Sequence, residues 1–156
     1  MSRELDSRMK RSEGIDYVSS QLLARAALLT RLLTKQLDGE LSRTEAGILS
    51  TLEGGSRRVT ELAELEGLAQ PTMTLLVKQL EALGLVRRER HTDDGRVVLV
   101  SLTDSGGAAL GHFRGEAQSA LRSYLEEMSD EQVQALSATA DALDALIVLL
   151  QRGAGG

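Results

Sequence analysis

The sequence contains no cysteine, a single proline, Pro71, and only two histidines, His91 and His112. Without cysteine, disulfide stapling, thiolate metal sites and thiol-based peroxide sensing are chemically excluded. Two histidines far from any HExxH-type spacing do not make a metal cluster, so no structural or catalytic zinc is expected. A phosphate-cradling glycine loop and a paired-carboxylate motif are missing as well. No catalytic set assembles from what remains, and neither an enzyme nor a cofactor is expected. The opening residues, MSRELDSRMKRSEG, lack the apolar stretch of a secretory signal. No window is read as approaching the roughly 18 apolar residues of a membrane span, so a cytoplasmic protein without membrane contact is expected.

At 156 residues and 42% hydrophobic content, the chain suits one compact domain or a small lobe with helical extensions. The net charge of −5 at first argues against a nucleic-acid partner, since phosphate binding needs a positive field. The acid excess is local, however. Residues 1–56 carry eight basic and eight acidic side chains, residues 57–103 seven of each, and residues 104–156 three against eight. The central segment is neutral, and a DNA-binding claim there must rest on its motif.

Apolar residues Ile15, Val18, Leu22, Ala26, Leu29, Leu33 and Leu37 recur at three- and four-residue steps and predict a long first helix. Ser42 caps a second helix ending at Gly54-Gly55, and Arg57-Arg58 reads as a short connection. Thr60 is expected to cap a brief helix over ELAELEG, and Pro71 to sit in the first turn of another reaching Leu83-Gly84. The period then changes. Val86–Glu89 and Val97–Leu102 read as two strands around a polar HTDDG turn. Thr103 begins a fifth helix with the stripe Leu110, Phe113, Ala117, Leu121, Tyr124 and Met128. Ser129 and Gln132 form a capping box for a sixth, carrying Val133, Leu136, Ala140, Leu143, Ile147 and Leu150.

A helix-turn-helix requires a small residue where its helices cross, a glycine in the turn and apolar anchors on its second helix. Ala63, Gly67, Met73 and Leu76 satisfy this. Met73, Leu76, Val77, Leu80 and Leu83 fall on one side of the second helix, leaving Pro71, Thr74, Leu75, Lys78 and Ala82 on the other. Gln70, Pro71, Thr72 and Thr74 are placed to meet base edges in a major groove, through amide and hydroxyl groups and methyl contacts. Arg57, with Thr60 beside it, is a candidate backbone contact, the plain alternative being a solvated turn. The hairpin carries Arg87, Arg88 and Arg90 on one arm and Arg96 beyond its turn. Arg96 suits a narrow minor groove, and Asp94 is positioned to orient its guanidinium.

At these residues the sequence resembles the multiple antibiotic resistance regulator (MarR) family. The run Asp94-Gly-Arg96-Val-Val-Leu-Val100-Ser-Leu102-Thr103-Asp-Ser-Gly106 matches every fixed position of that family's wing signature, D-x-R-x-x-x-V-x-L-T-x-x-G. The stretch QPTMTLLVKQLEALGLVRR is similar to its recognition helix. The resemblance implies a mainly α fold with a small β-hairpin wing: a winged helix-turn-helix DNA-binding lobe at 41–103 and a helical dimerisation region at 1–40 and 104–156, within one domain spanning 1–156. It also implies a homodimer on a near-palindromic double-stranded DNA operator, repressing until a small ligand, often an aromatic anion, releases it. A pocket between the first, second and fifth helices is implied likewise, without named lining residues. Two positions depart from the family. Leu75 stands where an arginine is frequent, removing a guanine or phosphate contact, and Ala69 stands where Ser or Thr caps the helix. The alternative is a winged-helix protein-interaction adaptor that binds no DNA, since fold alone does not fix function.

Gly107, Gly111 and Gly115 share one face of the fifth helix, each costing roughly 1 kcal/mol of propensity relative to Ala. Close approach of another helix is the favoured reason, room for a ligand or a joint the other. His112 beside this face reads as an ordinary polar residue. The run Leu146-Ile147-Val148-Leu149-Leu150 is apolar all round, more than a terminal helix buries against its own subunit. With the first helix it is expected to form a two-fold interface that sets the recognition helices about one DNA turn apart.

Overall fold

The computed structural model describes residues 2–37, 39, 41–90 and 98–153, with side chains from Lys10 onward and Arg90 by its backbone alone. His91, Asp94, Arg96 and Val97 therefore lie outside the described residues. The chain divides into two units, residues 1–117 and 118–156.

In the first unit, α1 (Ser2–Thr34) is followed by α2 (Arg43–Glu53), β1 (Arg57–Arg58), α3 (Val59–Leu65), α4 (Gln70–Ala82), β2 (Val86–Arg90) and β3 (Val98–Leu102). The fifth helix, α5 (Asp104–Leu125), begins here and continues into the second unit, which holds α6 (Asp130–Gly153). The first helix is longer at its start than the apolar stripe predicts, because nothing in the charged leading segment breaks it; Gly14 is tolerated within it. Its end comes earlier, at Thr34, where turn bonds from Gln36 and Leu37 to the Leu33 and Thr34 carbonyls replace the helical pattern.

The sheet has three strands, not the two expected, in the order β1-β3-β2. The Arg57-Arg58 connection is itself a strand, pairing antiparallel with Val100 and Leu99. Two residues carry no period-2 pattern, so nothing local marked them. β2 pairs with β3 from Val86 opposite Leu102 to Arg90 opposite Val98. β3 is thus central, and Val100 is fully buried beneath it.

Local capping explains most boundaries. Ser42 accepts from the Glu45 N–H while Glu45 accepts from the Ser42 N–H, a complete capping box. The same reciprocal pair joins Ser129 and Gln132 at the head of α6. Thr103 Oγ1 accepts from the Gly106 N–H at 3.0 Å and donates to the Gly84 carbonyl at 2.7 Å, so it caps α5 and ties it to the end of α4. Thr60 does not cap α3. The helix starts two residues earlier, at Val59, Arg58 is its cap position, and Glu61 accepts the Arg58 N–H at 2.9 Å.

The core of the first unit is Leu41, Ala46, Ile48, Leu49, Leu52, Leu62, Ala63, Met73, Val77, Leu80, Val86, Val100 and Leu110. It locks α2, α3, α4 and the sheet around the start of α5. The stripe expected along α5 enters it only at Leu110 and, partly, Phe113; Tyr124 is half exposed, and the helix ends before Met128. Among the described residues of this chain, nothing lies within 4 Å of a Cβ built at Gly111 or Gly115, and one at Gly107 only grazes Leu102. The glycine that packing demands is Gly106: a Cβ there would collide with the Leu85 carbonyl oxygen.

α6 buries no residue, and α1 leaves Ile15, Val18, Leu28, Leu29 and Leu32 about half exposed. α6 also corrects the membrane expectation. Its 24 residues include a window of mean hydropathy 1.6, long and apolar enough to cross a bilayer by length and composition. Alanines raise that average, although Asp141 and Asp144 interrupt the run.

Candidate nucleic-acid interface

The centre of the first unit is a helix-turn-helix followed by strands. α3 ends with Gly67 at φ +63°, the Leu68 N–H reaching the Ala63 carbonyl at 2.8 Å and the Gly67 N–H the Glu64 carbonyl at 3.2 Å. This is a Schellman close, and glycine carries its left-handed residue without a Cβ penalty. α4 ends identically at Gly84, φ +72°, with Leu85 bonded back to Leu80. Both turns that aim α4 are therefore fixed by glycine.

α4 is seated by one face and presents the other. Met73, Val77 and Leu80 are buried and Leu76 is partly so. Leu83, expected on the same side, is instead 62% exposed, because it is the C-cap residue and leaves the helical face. Gln70, Pro71, Thr72, Leu75 and Lys78 are exposed. Thr74 is half buried, and its hydroxyl donates to the Gln70 carbonyl at 2.9 Å, leaving only its lone pairs and methyl to face outward. No side chain caps α4 at Ala69, so its first-turn N–H groups stay open.

The sheet positions the remaining candidates. Arg57, half buried in β1, donates from Nη1 to the Ser56 carbonyl at 3.1 Å, and Thr60 is exposed in the first turn of α3. Arg87 lies against Glu89 at 3.0 Å and donates to Ser101 Oγ. Arg88 Nε donates to Glu81 Oε2 at 2.7 Å, and its N–H to Glu81 Oε1 at 3.3 Å. That hydrogen bond, with the charge attraction behind it, lowers the Glu81 carboxyl below its ordinary value and raises Arg88. The pair clamps the end of α4 to β2. Arg90 is placed at the end of β2 by its backbone, and the wing residues Asp94 and Arg96 lie outside the described residues.

Three features escaped the sequence reading. Glu81 is the partner of Arg88 across a turn, a spacing no helical or strand period announces. Arg114 on α5 reaches back to α2, donating to Glu53 Oε2 at 2.7 Å and Ser50 Oγ at 3.0 Å. Last, a cavity of about 400 Å³ opens beside α5, lined by Gly39 and Leu41 ahead of α2, by Leu83 and Leu85 after α4, and by Ala109, His112, Phe113 and Glu116. Among the described residues, neither α1 nor α2 lines this cavity, so it is a different place from the pocket expected between the first, second and fifth helices.

A trihelical core whose third helix turns its polar edge outward, followed directly by antiparallel strands, defines a winged helix-turn-helix lobe. Residues 41–98 match the sequence profile of the MarR family. An HTH-type transcriptional regulator of Mycobacterium leprae is 31% identical over 126 residues, covering 80% of this chain and 88% of that protein. The HTH-type transcriptional repressor MdtR of Bacillus subtilis is 30% identical over 86 residues, 55% of this chain and 56% of its own. In structure, wild-type MarR from E. coli in its apo form superposes with a TM-score of 0.67 at 19% identity over 81% of this chain and 96% of that one, a likeness of fold. The chain belongs to the MarR family of transcriptional regulators.

Proposed function

We propose that the protein is a cytoplasmic, homodimeric repressor that reads the two halves of a near-palindromic DNA operator and is released by a small ligand. The observation that carries this reading is α4: Met73, Val77 and Leu80 fix it in the core while Gln70, Pro71, Thr72, Leu75 and Lys78 stand in solvent. A helix held this way enters a major groove without moving. Gln70, Thr72 and Thr74 would meet base edges, Leu75 thymine methyls, and Lys78 a phosphate. Arg57, Thr60 and Arg90 would add backbone contacts, and Arg96, oriented by Asp94, would enter the minor groove. Arg88 joins them only by exchanging Glu81 for a phosphate oxygen. Repression is supported by the relative named a repressor. Dimerisation through α1 and α6 is supported by their uncovered apolar residues, which a second copy would bury. The division proposed with it is a reading lobe at 41–103 and pairing helices at 1–40 and 104–156, supported by the exposed apolar residues of α1 and α6.

The test is fluorescence anisotropy of the full chain on the duplex upstream of its own gene and on a scrambled duplex, across a salt series. The expected result is preference for the upstream duplex, affinity falling steeply with salt, and a loss of about tenfold or more in Arg96→Ala. Absence of salt-dependent affinity for either duplex would replace this reading with the protein-docking adaptor, which the exposed Leu65 and Leu75 and the neutral charge of residues 57–103 would then serve.

A further inference from the structure

We infer that the cavity beside α5 is a binding site for a hydrophobic cation, an aromatic or aliphatic amine protonated at neutral pH, and that Glu116 is its counter-ion. The inference deepens the ligand-released reading above and rests on it for its effect on DNA, though not for binding itself.

The cavity, about 400 Å³, is large enough for a two- or three-ring molecule. Most of its wall is apolar: Leu41, Leu83, Leu85, Ala109 and Phe113. Into this wall projects one carboxylate. The Glu116 side chain is 32% exposed as a whole, but its Oε2 is turned inward, buried, and has no hydrogen-bond partner among the described residues. His112 approaches only the other oxygen, Oε1, at 3.7 Å, beyond hydrogen-bond range, and its side chain is largely exposed. The nearby Arg114 is directed away, to Glu53 and Ser50 on α2. No lysine or arginine lines the cavity among the described residues.

A buried carboxylate oxygen without a donor is costly, and the cost is recovered when a ligand supplies one. A protonated amine supplies both donor and charge, and the Phe113 ring in the same wall offers a face on which a cation rests favourably. An aromatic acid, the effector that the family resemblance implies, would bring a second carboxylate beside Glu116 with no lysine or arginine in the described wall to offset it. The lining therefore selects the opposite sign. Gly39 is part of the device: a Cβ at that position would fall 2.7 Å from Glu116 Oε2, so glycine leaves the carboxylate the room it occupies.

Calorimetric titration of the full chain with three probes of one shape tests the assignment: 1-naphthylmethylamine, 1-naphthoate and 1-naphthalenemethanol. The amine is expected to bind at least tenfold more tightly than either of the others. Glu116→Gln, which keeps shape and removes charge, is expected to bring all three within about threefold. Gly39→Ala, which displaces the carboxylate but keeps its charge, is expected to weaken the amine alone. Equal or tighter binding of naphthoate, persistence of the amine preference in Glu116→Gln, or failure of all three probes to bind the wild type would each overturn the proposal. Adding the amine to the complex with the upstream duplex separates the two readings. Binding with the expected preference but no loss of DNA affinity supports the site and refutes ligand release, whereas specific DNA binding without amine binding refutes the site and leaves the regulator.

Discussion

Gly106 is the residue on which the lobe is least able to compromise. It lets the first turn of α5 pass against the Leu85 carbonyl, which also accepts the Thr103 N–H at 3.2 Å. Gly106→Ala drives a methyl into backbone that cannot swing aside, and is expected to lower unfolding stability by about 3 kcal/mol, at the upper end of overpacking costs. Urea unfolding followed by circular dichroism checks this; an unchanged midpoint would refute it. The Glu81–Arg88 clamp yields the opposite kind of prediction. Because Arg88 spends its charge on a protein carboxylate, Glu81→Gln is expected to free it for phosphate, tightening binding to both upstream and scrambled duplexes and steepening the salt dependence by about one released ion. Glu53 supplies a pH signature. Its hydrogen bond from Arg114 lowers its carboxyl in the folded state, so the stability it contributes is present above the ordinary carboxylate range and is lost as pH falls through the lowered folded value. Glu53→Gln is therefore expected to flatten the acid limb of a stability-against-pH curve, an effect that shrinks in high salt because the pair is exposed. Of these residues only Gly106 was legible in the sequence, as the last fixed position of the wing signature. The clamps join positions that no local period relates, and they became visible only once α4, β2, α2 and α5 were assembled.

At the scale of elements, the sequence was most readable where one residue does one local job. Ser42, Ser129 with Gln132, Gly67 and Gly84 each announce a helix end, and each does so in the structure. It was least readable where tertiary pairing makes the element. β1 is two residues long and exists because β3 lies beside it; Val59 opens α3 without a hydroxyl cap because the chain arrives from that strand. The candidate interface was legible as a face of α4, since its stripe has helical period, but not the withdrawal of the Thr74 hydroxyl into a bond with Gln70. α6 carries the sharpest element-scale prediction. Its hydropathy would permit a membrane span, yet Asp141 and Asp144 sit mid-helix, and an acidic side chain at a bilayer centre costs roughly 2.5–3.5 kcal/mol. A protein partner avoids that cost by covering Leu136, Ile147 and Leu150 while the aspartates stay wet. The double substitution Ile147→Glu, Leu150→Glu is expected to convert a dimer to monomers in sedimentation velocity and to weaken DNA binding by about a hundredfold through loss of the second lobe. Retention of the dimer would exclude this face as the interface.

For the whole molecule, charge is distributed against the simplest picture of a DNA-binding protein. The net charge is −5, and the reading segment is neutral. On the proposed reading, affinity comes from where the cations stand, with Lys78 exposed on α4, and from doubling the contact through a second lobe. The acid excess beyond residue 103 lies in the helices assigned to pairing, where it does not need to meet phosphate. One experiment addresses this arrangement as a unit: hydroxyl-radical footprinting of the full chain on the duplex upstream of its own gene. Two lobes on a two-fold axis predict two protected patches related by dyad symmetry, centred about one helical turn apart, with weaker flanking protection from the wings. A single asymmetric patch, or uniform protection that the scrambled duplex shares, would contradict it.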